Sequence, residues 1–122
     1  MVTQSANALA GYTSRRQAFS STLSGLPPGP MRLQKETSNL FRTRNTNPHH
    51  ALDISAFSHV LNIDTESNTI EVEGMTPYAD VISASLQSGL MPKVVPQLKS
   101  ITVGGAISGI GIESSSFRYG LP

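Results

Sequence analysis

The sequence predicts a small domain that mixes short β-strands with helices, and three stretches carry the prediction. Val60-Leu61-Asn62-Ile63-Asp64 and Thr69-Ile70-Glu71-Val72-Glu73 each alternate apolar and polar residues. Between them, Thr65-Glu66-Ser67-Asn68 supplies a turn, so the pair reads as a β-hairpin with one wet face. Residues 76–89 read as a capped helix, and a glycine-rich run follows between 100 and 116. The 122 residues leave room for one small domain, whose core needs most of the apolar side chains present. No internal repeat is evident.

In chain order, residues 1–12 are small and polar and are expected to form a flexible N-terminus, with the domain beginning at residue 13. Residues 13–26 suit a short helix. Thr13 or Ser14 can cap it, and Ala18, Phe19, Leu23 and Leu26 fall on one apolar side. Gly25 and Pro27-Pro28-Gly29-Pro30 end it. Met31 to Gln34 reads as a short strand, and residues 35–50 form a long polar loop rich in Thr, Asn and Arg. After the hairpin, Thr76 is expected to cap a helix that has Pro77 in its first turn. Val81, Ile82, Ser85 and Leu86 make its buried stripe, and Gly89 ends it in the left-handed conformation. Met91 to Val95 reads as a short apolar strand bounded by prolines, and the run from Ser100 to Ser116 is too rich in glycine for a stable helix or ordinary strand.

Composition excludes several classes. With no cysteine there are no disulfides, thiolate metal sites or cysteine nucleophiles. No apolar run is long enough to span a membrane, and the first residues lack the apolar core of a secretory signal. The expected location is the cytoplasm. The acid-free, Ser- and Arg-bearing stretch up to Lys35 also resembles a mitochondrial transit peptide, which makes import the alternative. The net charge of +1 hides an asymmetry. Arg15, Arg16, Arg32, Lys35, Arg42 and Arg44 face only Glu36 in the first 50 residues, whereas acids dominate the remainder. A basic first half suits an anionic ligand, but its dispersed charges fit a solvated surface better. It is too dispersed, with too few aromatic residues, to argue for nucleic acid.

Gly104, Gly105, Gly109 and Gly111 form the densest chemical signal. A backbone without Cβ atoms can approach a ligand closely and aim several N–H groups at one anion, with Thr102, Ser108, Ser114, Ser115 and Ser116 adding hydroxyls. A diphosphate fits that inventory, and tight turns or close packing explain the glycines equally well. The triphosphatase loop is excluded because the run holds no lysine, and the Gly-x-Gly-x-x-Gly dinucleotide fingerprint fails on spacing. His49, His50 and Asp53 lack a third metal ligand at suitable spacing, so no metal is expected. His59 reads as a packed or surface histidine rather than a base, and the serines lack a nucleophile-elbow context. No catalytic acid or base is identifiable.

The stretch from Val94 to Gly120, and above all Thr102–Gly120 (TVGGAISGIGIESSSFRYG), resembles FAD-linked oxidoreductases of the vanillyl-alcohol-oxidase superfamily. Within that superfamily it is most similar to sterol side-chain reductases and their bacterial relatives. Upstream, Leu33–Arg42, Leu52–Ser55, Val60–Asp64 and Val72–Gly74 fall in the family's order, so the resemblance covers residues 14–122. It implies an α+β fold, the N-terminal portion of a PCMH-type FAD-binding domain, with small sheets and flanking helices. It also implies FAD as cofactor and partner, with Thr37, Ser38, Asn39, Leu40, Phe41 and Arg42 forming the first diphosphate loop. The second would run from Ser100 through Thr102, Gly104, Gly105, Gly109, Gly111, Ile112, Glu113, Ser114 and Ser115, near the flavin. Some relatives bind FAD covalently through a histidine in the first loop; Thr37-Ser38-Asn39 offers none, so non-covalent FAD is expected. Family members continue past this point into the rest of the FAD-binding domain and a substrate domain, which would be the chain's missing partner. A non-catalytic remnant or interaction module of the same fold is the alternative.

Overall fold

The computed structural model describes residues 2–34 and 50–122. Its elements run α1 (Val2–Ser24), β1 (Met31–Gln34), β2 (His50–Asp53), β3 (Val60–Asp64), β4 (Thr69–Val72), α2 (Tyr78–Gln87), α3 (Val103–Ser108) and α4 (Ser116–Tyr119). The mixture of small sheets and helices is the expected α+β fold. β1 and β2 pair in parallel, and β3 and β4 form the predicted antiparallel hairpin.

The hairpin is the centre of the molecule. Asp64 shapes its turn: one carboxylate oxygen accepts the N–H of Glu66 at 2.9 Å and the other the hydroxyl of Ser67 at 2.7 Å. Asn68 takes a left-handed φ of 55°, which asparagine tolerates. The register slips between Val60 and Asn62, and the bulge turns Leu61 into the core at 5% exposure. Alternation along β4 then separates two faces. Ile70 and Val72 look toward Tyr78 and Val81 of α2, while Glu71 and Glu73 look toward α1.

α1 is longer than the sequence predicts. It begins at Val2 rather than near residue 13, so the stretch expected to be a flexible N-terminus is helical. Ala6, Ala8, Leu9 and Ala10 are strong helix formers, and Thr13 does not cap: its hydroxyl donates back to the Leu9 carbonyl at 3.1 Å. The expected apolar side is only partly used, since Leu23 stays 40% exposed. What docks the helix is Arg15, bonded to Glu73, and Phe19, with Tyr12 and Arg16 on the same face. Phe19 meets Phe57 edge-to-face with centroids 5.6 Å apart.

α2 also departs in detail. Thr76 is fully buried, and its hydroxyl donates to the His59 carbonyl at 3.1 Å instead of capping the helix. Pro77 occupies the N-cap position without a side-chain bond, and the first helical amides are satisfied by Ile101 and Lys99 carbonyls at 2.9 and 3.0 Å. Val81 and Ser85 are buried as expected, but Leu86 is 57% exposed. Gly89, with φ of 70°, ends the helix as predicted: Leu90 N–H reaches back to the Ser85 carbonyl at 2.9 Å. Residues 91–95 form no strand. Pro92 and Pro96 remove the amides a ladder would need, and Val94 packs by its side chain alone, 5% exposed.

The glycine-rich run is a helix where none was expected. Thr102 caps α3 by accepting the Gly105 N–H at 3.2 Å, and Ala106 anchors it in the core. Packing thus overrides the poor propensity of glycine. Gly104 donates its N–H to the Gly74 carbonyl at 2.7 Å, and a Cβ on Gly104 would sit 2.8 Å from that oxygen. The helix closes with the same reach-back as α2, Gly111 N–H to the Ala106 carbonyl at 2.9 Å, but its left-handed position holds Ile110 at φ 51°.

Two stability changes follow from these backbone facts. Gly104→Ala is expected to destabilise by roughly 1–3 kcal/mol, because backbone rather than a movable side chain must give way. Ile110→Gly is expected to stabilise by about 1 kcal/mol, since a β-branched residue is costly in the left-handed region. Urea unfolding midpoints of the two variants check both signs.

Candidate functional site

The hairpin face carrying Glu71 and Glu73 ends in a buried carboxylate. Glu73 has no exposed side-chain surface, yet it is fully provided with donors. Arg15 gives Nε at 2.9 Å and Nη2 at 2.7 Å to one oxygen. His59 gives its backbone N–H at 2.8 Å to the other, with its ring Nδ1 at 2.7 Å from the same atom. Burial pushes the Glu73 carboxyl up, but the bonds from Arg15 and His59 together with the Arg15 charge outweigh it and hold the group below its ordinary value of 4.5. Alternation along β4 placed Glu73 on a wet face. The arginine of α1 makes its burial possible, a partner 58 residues away that local pattern does not show.

This clamp sets α1 against α3 across a cleft of about 700 Å³. α1 lends Tyr12, Arg16 and Phe19 to one wall; Leu33, Ile54, Phe57 and Leu61 make an apolar floor; Thr102, Gly104, Gly105, Ser108 and Gly109 form the other wall. Thus four of the site residues named from the sequence share one cavity. Tyr12, Arg16 and Phe19 were missed as site residues because only the docking of α1 brings them there. Ser100 and the stretch Gly111–Ser115 lie outside the cleft. Glu113 accepts the Gln97 N–H at 3.1 Å, and Gly111 packs against Pro122. Thr37, Ser38, Asn39, Leu40, Phe41 and Arg42 lie outside the described residues.

The expected way for the glycines to hold an anion changes. Gly104, Gly105, Gly109 and Gly111 donate their N–H groups to Gly74, Thr102, Gly105 and Ala106 within the chain. What α3 presents to the cleft is a surface without side chains, not a set of converging amides. The cation comes from across the cleft: Arg16 is exposed and has no ion-pair partner among the described residues, whereas Arg15 is committed to Glu73. An unpaired guanidinium, a bare backbone wall and an aromatic edge suit a phosphate-bearing ligand with a flat ring system. A second cleft of about 760 Å³ on the α2 face is lined by Ile70, Tyr78, Val81 and Val94 among others and contains none of the predicted site residues.

Residues 29–122 match the family model described as an FAD binding domain. The chain belongs to that family. Its family binds FAD, and curated oxidoreductases align with it. A Delta(24)-sterol reductase from Pisum sativum is 38% identical over 73 residues, covering 60% of this chain and 13% of the pea protein. The Homo sapiens Delta(24)-sterol reductase is 40% identical over 62 residues, 51% of this chain and 12% of its own length. Cytokinin dehydrogenase 10 of Oryza sativa subsp. japonica is 33% identical over 63 residues, 52% of this chain and 12% of that protein. The chain therefore spans only about an eighth of these relatives. No solved structure gives a significant match. Among the described residues, no helix is long and apolar enough to cross a membrane.

The clamp carries a pH signature. A carboxylate held below its unfolded value stabilises the fold above that value and loses the contribution as pH falls through the folded one. Stability is therefore expected to be level near neutrality and to decline below about pH 4.5, and Glu73→Gln should flatten that decline. Arg15→Ala should cost roughly 3 kcal/mol by stranding the buried charge. Denaturation midpoints between pH 3 and 7 read both effects.

Proposed function

We propose that this chain supplies the cofactor-holding part of a flavin-dependent oxidoreductase, with FAD bound non-covalently. The family match over residues 29–122 carries the reading, and the cleft between α1 and α3 is a cavity consistent with it. In this reading Thr37–Arg42 form the first diphosphate loop and the segment from Ser100 to Ser115 the second, passing near the flavin. Thr102, Gly104, Gly105 and Gly109 would contribute contact surface within the cleft, whereas Ser100 and Gly111–Ser115 lie outside its walls. Relatives named for a sterol and for a cytokinin align with overlapping shares of this chain, which favours cofactor holding over substrate selection. FAD, when bound, supplies the hydride or electron chemistry; these residues hold and orient it.

An interaction module that no longer binds flavin is the second reading. The observation favouring it is a set of apolar side chains turned to solvent around α3 and α4: Ile107, Ile110, Ile112 and Phe117 are 63–95% exposed.

Titration of FAD with the purified chain separates the two. The first reading predicts saturable quenching of flavin fluorescence, weaker binding by Arg42→Ala, and full release of intact FAD on denaturation. A folded chain that leaves the fluorescence unchanged supports the second.

A further inference from the structure

Arg15 and Arg16 are neighbours in sequence with different fates. Arg15 is 21% exposed and bonded to Glu73; Arg16 is exposed, unpaired among the described residues, and lines the same cleft. Both precede the family-matched stretch, which begins at residue 29. We propose that Arg16 binds a phosphate of the dinucleotide, so that α1 contributes a ligand contact to the site from outside the matched domain. The inference rests on the FAD reading above and adds a residue to it.

Charge decides the role. Among the described residues, the ionisable side chains on the cleft walls, apart from the Tyr12 phenol, are Arg16, Glu71 and Glu73. Glu73 is neutralised by Arg15, which leaves the Arg16 cation against the exposed Glu71. Without Arg16 the only charged side chains on the described walls would be acidic ones, which repel a phosphate. With it, a guanidinium fork faces a glycine wall whose lack of side chains lets a phosphate and its ribose lie close. The α3 amides cannot take that load, because those of Gly104, Gly105 and Gly109 already donate within the chain. Position is assured by the neighbour: the Arg15 clamp fixes this turn of α1, so Arg16 is held over the cleft without spending its own donors.

The test compares three probes, FAD, ADP and riboflavin, on the full chain and on Arg16→Ala and Arg16→Lys, with circular dichroism confirming the fold. Arg16 is exposed, so neither substitution disturbs the core. Arg16→Ala is expected to weaken FAD and ADP at least about tenfold, the effect of losing one charge-assisted contact, with Arg16→Lys intermediate. Riboflavin, which has no phosphate, should bind both variants like the parent. Equal FAD and ADP affinity in the parent and Arg16→Ala overturns the assignment, as does an equal loss for riboflavin, which would mean that Arg16 only shapes the wall. If the parent chain itself binds none of the three, the FAD reading fails, and this inference with it.

Discussion

The structure depends on one buried carboxylate. Glu73 sits at the end of the hairpin with no exposed side-chain surface, and such a charge is tolerated only where donors surround it. Two come from Arg15 on α1, and His59, just ahead of β3, supplies a backbone N–H and a ring nitrogen. The same interaction therefore joins the N-terminal helix to the hairpin and both hairpin strands to each other. α1 has little else to hold it. Its apolar side is thin, with Leu9 and Leu23 at 51% and 40% exposure, so Phe19 against Phe57 and the Arg15 fork fix where it lies. Where α1 lies determines that there is a cleft.

The opposite wall is held by backbone rather than charge. The Pro77–Thr102 bridge and the bonds from Val103 to Thr76 and Gly104 to Gly74 stitch the start of α3 onto the link between hairpin and α2. Thr76 joins this seam from beneath through the His59 carbonyl, so the residue that donates to Glu73 also anchors the link. The closeness of Gly104 to Gly74 needs a residue without Cβ, which gives that glycine a packing reason independent of any ligand. Ile110 is the exception to local economy. The equivalent position after α2 holds Gly89, while α3 keeps a β-branched residue in a conformation that disfavours it. That strain sits beside the exposed apolar residues of this end of the molecule.

Much of the fold was legible in the residues. Period-two alternation located β3 and β4, Asn68 sits in the turn between them, and Gly89 ends α2 where its type requires. What was not legible depends on partners far away in sequence. Glu73 reads as a wet-face acid until Arg15 is brought to it, and Thr76 reads as a cap until the His59 carbonyl competes for its hydroxyl. The glycine run reads as non-helical until Thr102 caps it and Ala106 is buried. Of the cleft's lining, Thr102, Gly104, Gly105 and Gly109 were singled out by composition and by family resemblance. Their partners on α1 were not, because a tyrosine, an arginine and a phenylalanine at helical spacing carry no binding signal until the helix is docked.

The central claim is that α1 and α3 are two walls of one cofactor site. Amide hydrogen exchange of the chain with and without saturating FAD tests it most directly. Protection should rise together in Tyr12–Phe19 and in Thr102–Gly109, with the α2 face unchanged. Protection that rises along α3 while α1 exchanges as before would contradict it, and α1 would then be a structural strap with no part in the site.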